Sequence, residues 1–286
     1  MIKLNKPKIN QEEIINDCIA NMAEDDNGRK LRIKQSKETI INKSKEYDKL
    51  AQQGKLWKII VHDKLAAGGA TKEDMMQLYT QKFVPQNQGG RKYYEELILL
   101  APNGRCPYRG QKEVRTLDHY LPKASYPTYS VTPYNLVPCC ADCNKDKNSS
   151  RATSREEETI HPYYDDFNDY VWLKAKLIEA EPITFEFYVE RPNEWDEEKY
   201  KRACAHFKKY NLGKIYKPYA CERTYALIKH LKRLEIKGGS AAAKEHLSEN
   251  ILEERDIRNN TWPAAMYQAY LDSEWFWNVF LPQFQL

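Results

Sequence analysis

Residues 117–123 read LDHYLPK and put a carboxylate, Asp118, beside an imidazole, His119. An adjacent acid and histidine offer a cation ligand and a base that changes protonation near neutral pH. The same pair also suits an Asx-type turn next to a buried histidine, so two residues decide nothing. Residues further along narrow the choice. Asn135 precedes the apolar run LVP, and CCADCNKDK follows at 139–147. There Cys140 and Cys143 have the CxxC spacing of a metal knuckle, and Asn144 comes directly after them. Such a set can carry hydrolysis, which needs a base to deprotonate water and a cation to stabilise developing charge.

Positioning these residues requires a local frame. VRTLDHYLP reads as a short extended stretch that Pro122 ends, LVP as a second one, and CNKDKNSS as the start of a helix. Strand, loop, strand and helix between 106 and 150 make a unit too small for its own core, so it needs a metal or a host domain. In order and spacing these elements resemble the HNH endonuclease superfamily with its ββα-metal fold. The wording of LDHYLPK, NLVPCC and CNKDK is similar to HNH nucleases of bacterial anti-phage defence systems, including the Septu-type nuclease partner.

That resemblance implies roles. His119 would be the general base, and Asn135 would orient it by holding the loop. Asp118 and Asn144 would ligate the metal, Asn144 standing where a histidine is usual, which makes an H-N-N variant. Oxygen ligands favour Mg²⁺, with Mn²⁺ substituting. Lys123 and Lys147 would contact phosphate, while Lys145 and Arg151 read as ordinary surface charge. Many relatives add a structural zinc on two CxxC knuckles. Here Cys106, Cys140 and Cys143 are in place but the first knuckle reads CPYRG, with Arg109 at the fourth position. A structural Zn²⁺ on the three cysteines and a metal-free set of thiols are both open.

The rest of the chain reads as the host. The fold class is α+β: a mainly helical protein with an inserted ββα-metal (HNH) nuclease unit. An N-terminal helical region covers 1–100, the nuclease unit 101–155, and a mostly helical C-terminal region 156–286, with a short strand near 183–190 in ITFEFYVE. Asn10 with Glu13 suggests a helix start, a second helix begins at Ser36, and a third begins at Thr71 with Asp74. Breaks are expected at Gly213, Pro218 and the GGS at 238–240, and the aromatic tail from Trp262 to Phe280 reads as core packing or a partner interface. HPYYDDF at 161–167 reads as a turn capped by Asp165 and Asp166 rather than part of a substrate path.

Composition sets the outer bounds. The chain has 286 residues, 41% hydrophobic and 30% charged, and a formal net charge of +4. Net charge alone is too small to establish a nucleic-acid partner, but residues 199–237 hold twelve basic side chains against two acidic ones. That segment suits either a phosphate backbone or solvated helix faces. Seven cysteines with one tight cluster read as reduced thiols or metal ligands, not a disulfide framework. No long apolar run and no apolar leader is visible, so the expectation is a cytoplasmic protein with no membrane partner. The leading functional reading is a metal-dependent endonuclease that nicks or cuts DNA, partnered by an ATPase or other defence-system protein. An RNA-cleaving HNH nuclease and a non-catalytic nucleic-acid or partner-binding module are the alternatives.

Overall fold

The computed structural model describes residues 1–23, 27–61, 65–67, 69–147 and 151–286. These divide into two compact units, Met1–Asp166 and Phe167–Leu286. The described residues are mainly helical, with three two-stranded antiparallel sheets.

The first unit opens with α1 (Gln11–Ala20) and α2 (Arg29–Gln52). Asn10 caps α1 by accepting from the Glu12 N–H at 2.8 Å. Helix α2 starts at Arg29, seven residues before the expected Ser36, because long-range partners replace a local cap: Arg29 and Arg32 both reach Asp74. Ser36 instead lies buried inside α2, and its hydroxyl accepts from the Gly69 and Ala70 amides at 3.0 and 2.8 Å. That ties α2 to a minimal hairpin of β1 (Leu65–Ala67) and β2 (Ala70–Thr71).

Helix α3 (Lys72–Gln77) follows, with the expected Thr71–Asp74 capping box complete. It runs into a π-helical segment, Leu78–Phe83. Close packing explains the glycine pair after it: a Cβ on Gly89 would stand 2.1 Å from the Asp17 carbonyl oxygen. Helix α4 (Arg91–Leu99) then packs on the hairpin of β3 (Thr116–His119) and β4 (Leu136–Cys139), and α5 (Ala141–Lys147) closes the region. Leu117 and Leu136 from this hairpin share one core with Ile14, Ile15, Ile33, Leu78 and Phe83. The segment 101–155 is therefore part of the first unit, with the N-terminal helices as its host.

The second unit holds the hairpin of β5 (Leu173–Ile178) and β6 (Thr184–Val189), then α6 (Glu197–Lys209), α7 (Leu212–Ile257), α8 (Trp262–Asp272) and α9 (Leu281–Gln283). Gly213 and Pro218 do not break the chain. The boundary lies at Asn211, whose φ of 49° separates α6 from α7, and α7 runs through Pro218 to a kink at Gly239. Pro218 lies past the first turn of α7, where it forgoes the bond to the carbonyl four residues back and crowds that carbonyl, yet the helix continues through it. The aromatic tail is core: Trp262, Tyr270, Phe276 and Trp277 are buried. The basic segment is no uniform track, since Lys199 pairs with Asp169, Lys232 with Glu235, and Arg202 is buried against the Phe167 ring. No described helix is long and apolar enough to cross a membrane.

Asp74 is the joint of the N-terminal helices. The Arg32 and Thr71 hydrogen bonds outweigh burial and hold its carboxyl down at about 2. A carboxylate depressed on folding adds stability that is complete above its unfolded value, near 3.8, and is lost as pH falls toward 2. Asp74→Asn is expected to cost about 2–3 kcal/mol at pH 7. Urea unfolding should show that gap narrowing as pH falls from 4 to 2.

Candidate active site

Antiparallel pairing sets Asp118 opposite Val137 and His119 opposite Leu136. Alternation along β3 then sends Thr116 and Asp118 to one face and Leu117 and His119 to the other. His119 is buried, its ring edge-on to Tyr79 with centroids 4.5 Å apart. Its Nε2 lies 2.9 Å from the Ser130 carbonyl oxygen. A carbonyl only accepts, so the proton sits on Nε2 and Nδ1 keeps the lone pair. Burial, reinforced by the nearby Lys123 ammonium, pushes the imidazole down to about 3, which leaves it neutral at physiological pH.

Ser130 lies in the connection between β3 and β4, and Asn135 holds that connection in shape. The Asn135 Oδ1 accepts from the Leu121 N–H at 2.7 Å, and its Nδ2 donates to the carbonyls of Leu121 at 3.0 Å and Tyr129 at 3.2 Å. Its own carbonyl accepts from the Tyr120 N–H at 2.8 Å. Fully buried, it staples both ends of the loop that carries the carbonyl holding His119.

The other face of β3 meets α5. Asn144 donates from Nδ2 to the Thr116 hydroxyl at 3.3 Å. Lys147, one turn on, reaches the Asp118 Oδ2 at 2.6 Å and also donates to the His119 carbonyl. Tyr108 donates to the same Oδ2 at 2.9 Å. Lys147 is buried, with its ammonium against the Tyr120 ring, so the expected phosphate contact is corrected. Helical spacing turns Cys143 and Lys147 together toward β3, which makes Lys147 the internal counter-ion of Asp118. Lys123 behaves differently. Only partly buried, it lies over the Tyr79 ring and lines a cavity of about 310 Å³ with Tyr79, Thr116, His119 and Asn144. Asp118 is not among the cavity's lining residues.

The three cysteines converge. The sulfurs of Cys106, Cys140 and Cys143 lie within 4.8 Å of one another, all buried, and the Cys106 and Cys143 sulfurs are 3.6 Å apart. Hydrogen bonds from Cys106 and Cys143, with the Arg109 guanidinium nearby, push the Cys140 thiol down strongly. Cys139 is buried on β4 outside this cluster, and every cysteine is free.

Protein ea31 of Escherichia phage lambda is 31% identical to this chain over 260 residues, covering 83% of the chain and 86% of ea31. The chain belongs to the ea31 family. Septu protein PtuB of Bacillus thuringiensis is 28% identical over 99 residues, which is 32% of this chain and 38% of PtuB. No protein-family model and no solved structure matches the chain.

In this ea31-family chain the donors suit a hard cation better than a soft one at β3 and α5. The recorded contacts of Asp118 fall on Oδ2 and that of Asn144 on Nδ2, so each keeps one oxygen with no hydrogen bond among the described residues. A closed structural zinc fits less well, because it needs four ligands and the fourth position of the first knuckle is Arg109, whose guanidinium has no lone pair to give. His161 is a packing residue, buried among Tyr47, Tyr120 and Tyr164, with its N–H capped by Asp165. Tyr79, Tyr108 and Ser130 were not legible as site residues from the sequence. Tyr79 comes from the helical region, and Ser130 acts through its backbone, which no side chain reports.

If Asn135 shapes the loop, Asn135→Ala removes several buried hydrogen bonds and is expected to cost roughly 3 kcal/mol. Hydrogen exchange checks it: protection of the Leu121 amide should fall well below that of the β3–β4 pairs.

Proposed function

We propose that this chain is a metal-dependent endonuclease of the HNH type that hydrolyses DNA phosphodiester bonds. The observation that carries the reading is His119: a neutral imidazole, fixed through Nε2 and with Nδ1 unprotonated, on the cavity that Asn144 and Lys123 also line. The β3–β4–α5 order and the resemblance of LDHYLPK, Asn135 and CNKDK to HNH enzymes support it. Similarity to a Septu protein supports a setting in anti-phage defence, with a defence-system protein as partner.

In this reading His119 Nδ1 takes the proton from the attacking water, and the Ser130 carbonyl keeps the ring from turning. Asn135 positions that carbonyl. Lys123 offers its ammonium to a phosphate oxygen, and burial of its stem lowers the cost of giving up water there. Asp118 and Asn144 are the residues that would hold Mg²⁺ or Mn²⁺, whose charge would stabilise the scissile phosphate and the departing 3′ oxygen. The products would carry 5′-phosphate and 3′-hydroxyl ends.

Supercoiled plasmid incubated with the protein and Mg²⁺, alone and with products of neighbouring genes, tests the proposal. Wild type is expected to nick or linearise the plasmid, and His119→Ala to do so at least about 10²-fold more slowly. Cleavage of structured RNA with plasmid intact would move the substrate to RNA. Inertness toward both would leave a binding module.

A further inference from the structure

Three buried sulfurs gathered within 4.8 Å invite a metal, but the fourth position belongs to Arg109. The turn that aims it is tight. The Gly110 N–H bonds the Cys106 carbonyl at 2.7 Å, the Cys106 N–H bonds the Lys112 carbonyl at 3.0 Å, and Gly110 and Lys112 both have positive φ. Arg109 is 3% exposed, and its guanidinium pairs with Asp146 and, at 3.6 Å, with Asp142. Lys112 from the same turn also pairs with Asp142. Asp142 and Asp146 lie one turn apart on α5, while Cys143 and Lys147 turn toward the hairpin.

We propose that Arg109 takes the place of a structural metal: its guanidinium stands fourth in the Cys106–Cys140–Cys143 cluster and fastens the Cys106 turn to α5 through Asp142 and Asp146, so that the unit is braced without zinc. A guanidinium has five donors, no lone pair to give, and stays charged at any working pH, so it cannot complete a zinc sphere. It can do what the metal does elsewhere, which is to join the turn to the helix. This bracing is independent of whether the nearby site cleaves nucleic acid.

Metal analysis and thermal unfolding of the full chain test the idea. Wild-type protein, purified without chelator, is expected to hold well under one zinc per chain, and its Tm should not change with EDTA. Arg109→Ala and Asp146→Ala should each lower Tm by roughly 5–15 °C, and the double variant by less than the sum. Arg109→Cys completes four thiols and should recover one tightly held zinc per chain, with a Tm that EDTA now lowers. If Arg109→Ala does not fold, Asp146→Asn and Arg109→Lys report the same coupling. One chelator-resistant zinc in wild type would overturn the proposal. So would an unchanged Tm in both Arg109→Ala and Asp146→Ala.

Discussion

The ion pair between Lys147 and Asp118 is the contact on which the site's geometry rests. Both groups are almost wholly buried and stand 2.6 Å apart, with Tyr108 as a further donor to the carboxylate. Taking two charges out of water is costly, and only close geometry with added hydrogen bonds repays it. Removing one partner leaves an uncompensated buried charge, so the pair holds α5 against β3 as a single body. Because Lys147 also donates to the His119 carbonyl, the backbone of the proposed base is pinned by the same ammonium.

Around that contact the two faces of β3 are put to separate uses. One face meets α5, where Asp118 and Asn144 each keep an oxygen with no hydrogen bond among the described residues, the pair proposed to hold a hard cation. The other faces the helical host, where Tyr79 and the Ser130 carbonyl hold the His119 ring. Tyr79 belongs to a π-helical turn, with the Val84 N–H reaching back to the Tyr79 carbonyl at 3.0 Å, and such turns are frequent at functional sites. The host therefore lines the cavity as well as supplying the core. A unit this small could not bury His119 by itself.

Local grammar carried much of this in the sequence. Asn10 and the Thr71–Asp74 box marked helix starts, and Pro122 and LVP marked the paired strands. Strand β5 was missed although Leu173, Ala175 and Leu177 alternate with Lys174 and Lys176, a period-two signal that was there to read. The start of α2 was hidden because its partner, Asp74, lies 42 residues away. The role of Lys147 was hidden for a similar reason. Whether a lysine is a surface charge or a buried counter-ion depends on the face of α5 that meets β3, and a motif does not encode that.

We propose that Asp118 and Asn144 hold a cation that serves His119, the base lining the same cavity as Asn144. The most direct test is Mn²⁺ titration of protein with assigned His119 ring and Asn144 side-chain amide resonances. Paramagnetic broadening is expected at both before the rest of the chain, and is expected to be lost in Asp118→Asn. Unchanged resonances at saturating Mn²⁺, or equal broadening in Asp118→Asn, would contradict it.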